Sequence, residues 1–127
     1  MTIHQISVFL ENRSGQLAEI TATLSENHVD LRAISIAETA DYGVLRLIVD
    51  DAQRASSILL EHGFILTMTP VVAVAVPDRP GGLSQVLGVL SAAGMDIEYM
   101  YSVFGQKNGL AYMIFRCLLY TSPSPRD

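Results

Sequence analysis

The chain has a single cysteine, Cys117, so no internal disulfide can form, and the expected compartment is reducing. Its three histidines, His4, His28 and His62, stand far apart and with that lone thiol give no zinc-ligand spacing, so neither a metal nor a cofactor is expected. Basic residues are scarce as well. Eight Lys and Arg against 13 Asp and Glu leave a net charge of -5 over 127 residues, which handicaps binding to a polyphosphate backbone and excludes nucleic acid as the expected partner. A small ligand or a basic partner suits that charge better. No Lys or Arg precedes an apolar block at the N-terminus, so a secretory signal is not expected. One of the two longest uncharged stretches, His62 to Pro77, is interrupted by Pro70 and is too short to cross a bilayer, so no membrane partner is expected. What remains is a half-hydrophobic chain able to bury a core, read as a soluble cytoplasmic protein.

The last eleven residues, Cys117 to Asp127, lack periodicity, and Pro123 and Pro125 oppose a helix interior or a central strand. They resemble the translated transposase adapter used in sequencing-library preparation. The expectation is therefore that residues 117–127 are foreign to the fold and that Cys117 is not native.

An internal repeat organises the rest. A shift of 66 residues carries Arg13, Gly15, Leu17, Leu24, Ser25, Asp30 and Gly43 onto Arg79, Gly81, Leu83, Leu90, Ser91, Asp96 and Gly109 without a gap. Val8 with Val74 and Ile48 with Ile114 add to the match. In the first copy Ile6, Val8 and Leu10 alternate with Ser7, Phe9 and Glu11, the period of a half-buried strand. After a turn at residues 12–15, Leu17, Ile20 and Leu24 mark one face of a helix. Leu31 to Ala37 and Val44 to Val49 read as hairpin strands, and Asp50-Asp51 as the cap of a second helix that Gly63 ends. Ile65 to Thr69 reads as a fourth strand. The second copy repeats this with Val71 to Val76, a helix over 83–93, and strands at Ile97 to Val103 and Leu110 to Arg116.

The order βαββαβ predicts an α+β fold of two ferredoxin-like modules in tandem, residues 1–69 and 70–116, with their sheets paired side by side. The second module is expected to stop at βαββ, lacking its second helix and last strand and leaving apolar sheet exposed.

The segments before each first helix, Glu11-Asn-Arg-Ser-Gly-Gln-Leu17 and Pro77-Asp-Arg-Pro-Gly-Gly-Leu83, carry a further resemblance. They are similar to the loop of the ACT domain family, the second closely, the first with Asn12 and Ser14 in the Asp and Pro places. Over about Ile3 to Arg116 the chain looks most like stand-alone tandem ACT proteins, which implies a non-catalytic regulatory protein that senses an amino acid.

The chemistry of the loop can be argued from the residues. A glycine at Gly15 or Gly81 permits a tight turn and close approach of a ligand to the first helical amides, which lack partners within the helix and sit at its positive end. A carboxylate fits there, while Asn12 or Asp78 can accept from an ammonium group. The competing reading is that Asp78 and Ser14 cap their own helices and that Arg13 and Arg79 are solvated. Candidate ligand residues are accordingly Asn12, Arg13, Ser14, Gly15, Gln16 and Leu17 in one loop, and Asp78, Arg79, Pro80, Gly81, Gly82 and Leu83 in the other. The resemblance adds pocket walls from second strands, Ile34, Ser35 and Ile36, or Met100, Tyr101 and Ser102, for which ordinary packing is the equal alternative. It also implies a homodimer or a partner enzyme.

Enzymatic readings are weaker. No Ser-His-Asp or Cys-His constellation can be assembled. Arg13 with Asn12 superficially suits an acylphosphatase-like hydrolase, but the loop is short of the consecutive glycines such chemistry needs. A regulatory subunit that joins an amino-acid biosynthetic enzyme without a ligand of its own is the remaining alternative.

Overall fold

The structure, a computed structural model, describes residues 2–11, 15–38, 42–105 and 107–119. The elements run β1 (Thr2–Leu10), α1 (Gln16–Glu26), β2 (Leu31–Glu38), β3 (Gly43–Val49), α2 (Ala52–Glu61), β4 (Ile65–Pro77), α3 (Gly82–Ala92), β5 (Met95–Ser102) and β6 (Leu110–Leu119). Contacts divide the chain into a first unit, His4–Pro70, and a second that starts at Val71 and includes Ile3.

In the first unit the strands lie in the order β2-β3-β1-β4. Both pairings of β3 are antiparallel, Ile6 facing Leu47 and Val8 facing Leu45 on one side, Ile34 facing Leu47 and Ile36 facing Leu45 on the other. The apolar residues read from β1 do enter the core, Ile6, Val8, Leu45 and Leu47 being fully enclosed with Ile20 and Leu24 of α1 and Ala55 and Leu59 of α2, but Gln5 and Ser7 are buried as well, so the middle of β1 is not half-buried as its alternation predicts. The ends of α2 are built as expected. Asp51 is its N-cap, its carboxylate accepting from the Arg54 N–H at 3.1 Å, and Gly63 follows the C-cap His62 with a φ of 86°. The Arg54 guanidinium in turn donates to the Asn27 carbonyl at the end of α1, a cation where that helix is negative. Ser7 and Thr69 share a hydrogen bond between their hydroxyls at 3.0 Å, joining β1 to the first half of β4.

The second unit has the order β4-β6-β5, again antiparallel, with α3 as its one helix among the described residues. Three features differ from the sequence expectation. The fourth strand of the first copy and the first strand of the second are one strand, β4, which runs through Pro70 without a break. A proline stops a strand only where the ladder needs its missing N–H, which position alone does not reveal.

The repeat also slips. Val74 pairs with Met113, and Ser102 with Met113, where the first unit pairs Val8 and Ile36 with Leu45. From the hairpin onward the equivalent residues therefore lie two positions further along, so Gly43 and Gly109 are not counterparts, nor Ile48 and Ile114. The cause is a tip with its own turn: Asn108 and Gly109 have φ of 55° and 73°, and Lys107 and Leu110 exchange both backbone hydrogen bonds, as in a two-residue hairpin loop of the primed type. With that insertion the strand must run longer to complete its ladder. It extends past Arg116 through Cys117 to Leu119, Ile97 facing Cys117 and Met95 facing Leu119. The part of the segment expected to be foreign that is described is thus strand, and the rest, residues 120–127, lies outside the described residues.

Sheet cover differs between the two units among the described residues. Val72, Val74 and Met113 are half-buried, whereas their counterparts Ile6, Val8 and Leu45 are sealed. On the helix, Val89 is 70% exposed where the equivalent Thr23 of α1 is 7% exposed.

Candidate functional site

Each first helix begins behind a glycine in the left-handed conformation. Gly15 caps α1 with φ 83° and Gly81 caps α3 with φ 85°, and neither cap position carries a side-chain hydrogen bond. The dihedral explains the residue: a β-carbon in that conformation costs about 1–2 kcal/mol, which glycine avoids.

The second loop is described throughout. Pro77 ends β4, and the Pro77 carbonyl accepts from the Arg79 N–H at 2.9 Å, while the Arg79 carbonyl accepts from Gly82 N–H at 3.0 Å. The Asp78 N–H donates to the Gly109 carbonyl, which holds the loop against the β5–β6 hairpin. Inside the helix the first N–H to be taken is that of Gln85, by the Gly81 carbonyl. The N–H groups of Leu83 and Ser84 have no partner among the described residues. Gly82 is buried because a β-carbon there would run into the Pro77 carbonyl oxygen. Asp78, Arg79, Pro80 and Gly81 are exposed, Leu83 half-buried. Arg79 leans along the helix and donates to the Gln85 side chain at 3.1 Å.

In the first loop Asn12, Arg13 and Ser14 lie outside the described residues. Gln16, in the place of Gly82, is buried, and its side-chain oxygen accepts from the Glu11 N–H at 2.7 Å. Leu17 is at the surface. Of the proposed strand walls, Ile34 and Ser35 are half-buried and Ile36 exposed on β2; Met100 and Tyr101 are half-buried and Ser102 exposed on β5. Within each unit the central strand separates these residues from the loop of the same unit: β3 stands between β1 and β2, and β6 between β4 and β5.

The first unit also contains a cleft of about 360 Å³ beside the start of α1. Its walls come from the end of β1 (Phe9, Leu10, Glu11), the first turn of α1 (Gln16, Glu19), Tyr42 ahead of β3, and His62 to Ile65 between α2 and β4. Of these, only Gln16 stood out in the sequence. The others converge because three chain reversals meet at one end of the sheet, which no local pattern reveals. The His62 ring nitrogen Nδ1 pairs with the Ile58 carbonyl at 2.8 Å.

Elsewhere the chemistry is sparse. Among the described residues no three His, Cys, Asp or Glu converge on a common point. Burial pushes the Cys117 thiol above its ordinary pKa; Arg116 opposes the shift and Asp96 adds to it, so the sulfur is held in the less nucleophilic protonated form. No described helix is long and apolar enough to cross a membrane.

A family model of an ACT domain pair matches residues 1–119. The chain belongs to that family. Among solved structures, the ACT pair is similar to protein BT0572 from Bacteroides thetaiotaomicron, at 44% identity over 92% of this chain and 80% of that one, with a TM-score of 0.84. The ligand-free regulatory subunit of aspartate kinase from Thermus thermophilus shares the fold at 16% identity, covering 91% of this chain and 85% of that one with a TM-score of 0.64. The corresponding subunit from Thermus flavus does so at 14% identity, 91% and 84% coverage and a TM-score of 0.56. No curated protein matches the chain. The ACT pair thus shares its fold with those subunits.

Proposed function

We propose that this ACT pair is a non-catalytic cytoplasmic sensor of an amino acid, which passes occupancy to a partner enzyme or to a second copy of itself. The observation that carries the reading is the second loop: a left-handed glycine opens the way to two N–H groups, of Leu83 and Ser84, that have no partner among the described residues and lie at the positive end of α3. A ligand carboxylate is the group those donors suit, and the Asp78 carboxylate is the proposed acceptor for its ammonium. Residues 12–17 would play the same part in the first unit. Because β6 and β3 separate each loop from its own second strand, the walls at Ile34–Ile36 and Met100–Ser102 are proposed to serve a loop other than that of their own module. The regulatory subunits of aspartate kinase among the fold's relatives favour an enzyme as the receiver of the signal. Signalling further requires that the ligand prefer one arrangement of the receiver over another.

The test is calorimetric titration of the full chain with a panel of amino acids. Gly81→Val is expected to remove binding at the second loop, because a β-branched residue strains the left-handed turn, φ 85°, on which the presentation of the donors depends. Arg79→Ala is expected to change affinity by less than about twofold, since that guanidinium is spent on Gln85 at an exposed site. Equal losses from the two variants, or no heat from any amino acid with the parent chain, would refute the assignment. Hydrolysis of acetyl phosphate would instead favour the acylphosphatase reading.

A further inference from the structure

The primed turn at the tip of the β5–β6 hairpin demands a particular pair of residues, and that pair has a chemistry of its own. Asn108 and Gly109 stand at φ 55° and 73°, a region that asparagine and glycine enter more readily than other residues. Of the chain's three asparagines, Asn12, Asn27 and Asn108, only Asn108 precedes a glycine. Both turn residues are exposed, and a β-carbon built on Gly109 would meet nothing within 4 Å, so its surroundings are open. Neither the Gly109 N–H nor the Asn108 side chain has a partner among the described residues.

Asn27 is the counter-example in the same chain. Its side-chain nitrogen donates to the Thr23 carbonyl at 2.8 Å, and the N–H that follows it, that of His28, donates to the Ser25 carbonyl at 3.0 Å. There both the side-chain amide and the next main-chain nitrogen are occupied, and His28 sets a side chain beside that nitrogen. At Asn108 both groups are open, and glycine leaves the approach to its nitrogen clear.

We infer that Asn108 is a self-modification site, at which the chain converts its own hairpin tip to aspartate and isoaspartate with water as the only reagent. The Gly109 main-chain nitrogen attacks Cγ of Asn108. A C–N bond forms, the Cγ–Nδ2 bond breaks, and ammonia leaves with the proton that Gly109 gives up, so a succinimide results. Water then opens the ring at either carbonyl. Opening at Cγ yields aspartate, whereas opening at the main-chain carbonyl yields isoaspartate, whose chain runs through Cβ and is longer by a methylene. Each product carries a new carboxylate. The bonds that Lys107 and Leu110 exchange, at 3.1 and 3.0 Å, hold the turn, so ring closure waits on its local opening, a small event at an exposed tip.

The tip is also a support. The Gly109 carbonyl accepts from the Asp78 N–H at 3.0 Å and holds the loop ahead of α3. A longer chain at residue 108 displaces that carbonyl, so isoaspartate formation releases Asp78 and loosens the loop. The inference goes beyond the amino-acid reading and stands whatever the loop binds.

The test ages the full chain in mildly alkaline buffer, folded and in denaturing urea. Peptide masses then locate the lost amide, and methyl transfer by an isoaspartate-directed carboxyl methyltransferase counts the isoaspartate. The folded chain is expected to convert Asn108 well ahead of Asn27, though more slowly than the unfolded chain, and to become a methyl acceptor. Hydrogen exchange on the aged, folded chain should show the Asp78 N–H losing its protection. Asn108→Gly keeps a pair suited to the same turn and removes the amide, so it should accept no methyl at the tip and keep Asp78 protected over the same period. If the folded chain retains Asn108 after the unfolded chain has fully converted, or converts Asn27 as fast, the modification site is overturned. If Asn108 converts to isoaspartate and the Asp78 N–H stays as protected as before, the link from the tip to the loop is overturned.

Discussion

Gly82→Ala is expected to destabilise the second unit by about 3 kcal/mol or more, seen as a lower midpoint in urea denaturation. The added methyl would collide with the Pro77 carbonyl oxygen and lie 3.0 Å from the carbonyl carbon, both main-chain atoms with no rotamer to escape into. That oxygen already accepts from Arg79, and Pro77 is the last rung of β4 against Leu110. Relief of the clash must therefore loosen either the turn or the ladder. Gly88 in the same helix is the control, since a β-carbon there meets nothing within 4 Å and its φ is ordinary for a helix. Gly88→Ala should raise stability by about 0.5–1 kcal/mol through helix propensity alone. Two alanines six residues apart on one helix would then act with opposite sign. Comparable effects from both would mean that the tight contact at Gly82 does not exist.

The second large effect is a contrast between equivalent rungs. Leu45→Ala is expected to cost about 2–5 kcal/mol, since Leu45 is fully enclosed between β1, β2 and the two helices and its removal leaves a cavity. Met113 occupies the same rung in the second unit, facing Val74 and Ser102, but is only half-buried. Met113→Ala should cost less than half as much, because part of the methionine is already in water and the site opens rather than hollows. Chemical denaturation of each variant against its parent measures both. A Met113 loss equal to that of Leu45 would show that the face is covered after all.

These contrasts mark where local pattern carries information. The Asp51 cap and the Gly63 stop are short-range physics, and each stands where the residues predicted, whereas the alternation of β1 placed Ile6 and Val8 in the core but not the burial of Gln5 and Ser7 beside them. The paired glycines before the helices were legible for the same reason, since a left-handed cap has few other solutions. Pro70 misled because a proline in a strand is forbidden or harmless according to neighbours elsewhere in the chain. The slip in β6 was hidden by real identities: Gly43 and Gly109 both serve hairpins, but Asn108-Gly109 forms a turn that lengthens its own arm. Of the cleft, Tyr42, His62 and Phe64 carry no motif and become neighbours only through topology. One signal was available in advance. Beside Asn12 against Asp78 and Ser14 against Pro80, the exchange of Gln16 against Gly82 is the one that adds a whole amide side chain at a helix start.

The uneven cover of the two sheets bears on how the protein responds to heat. One unit owns a closed core beneath two helices, whereas the other, among the described residues, holds its strands beneath a single helix with valine left in water. Cooperative units of such different strength need not melt together, so calorimetric and van't Hoff enthalpies would diverge and a lone transition temperature would describe neither.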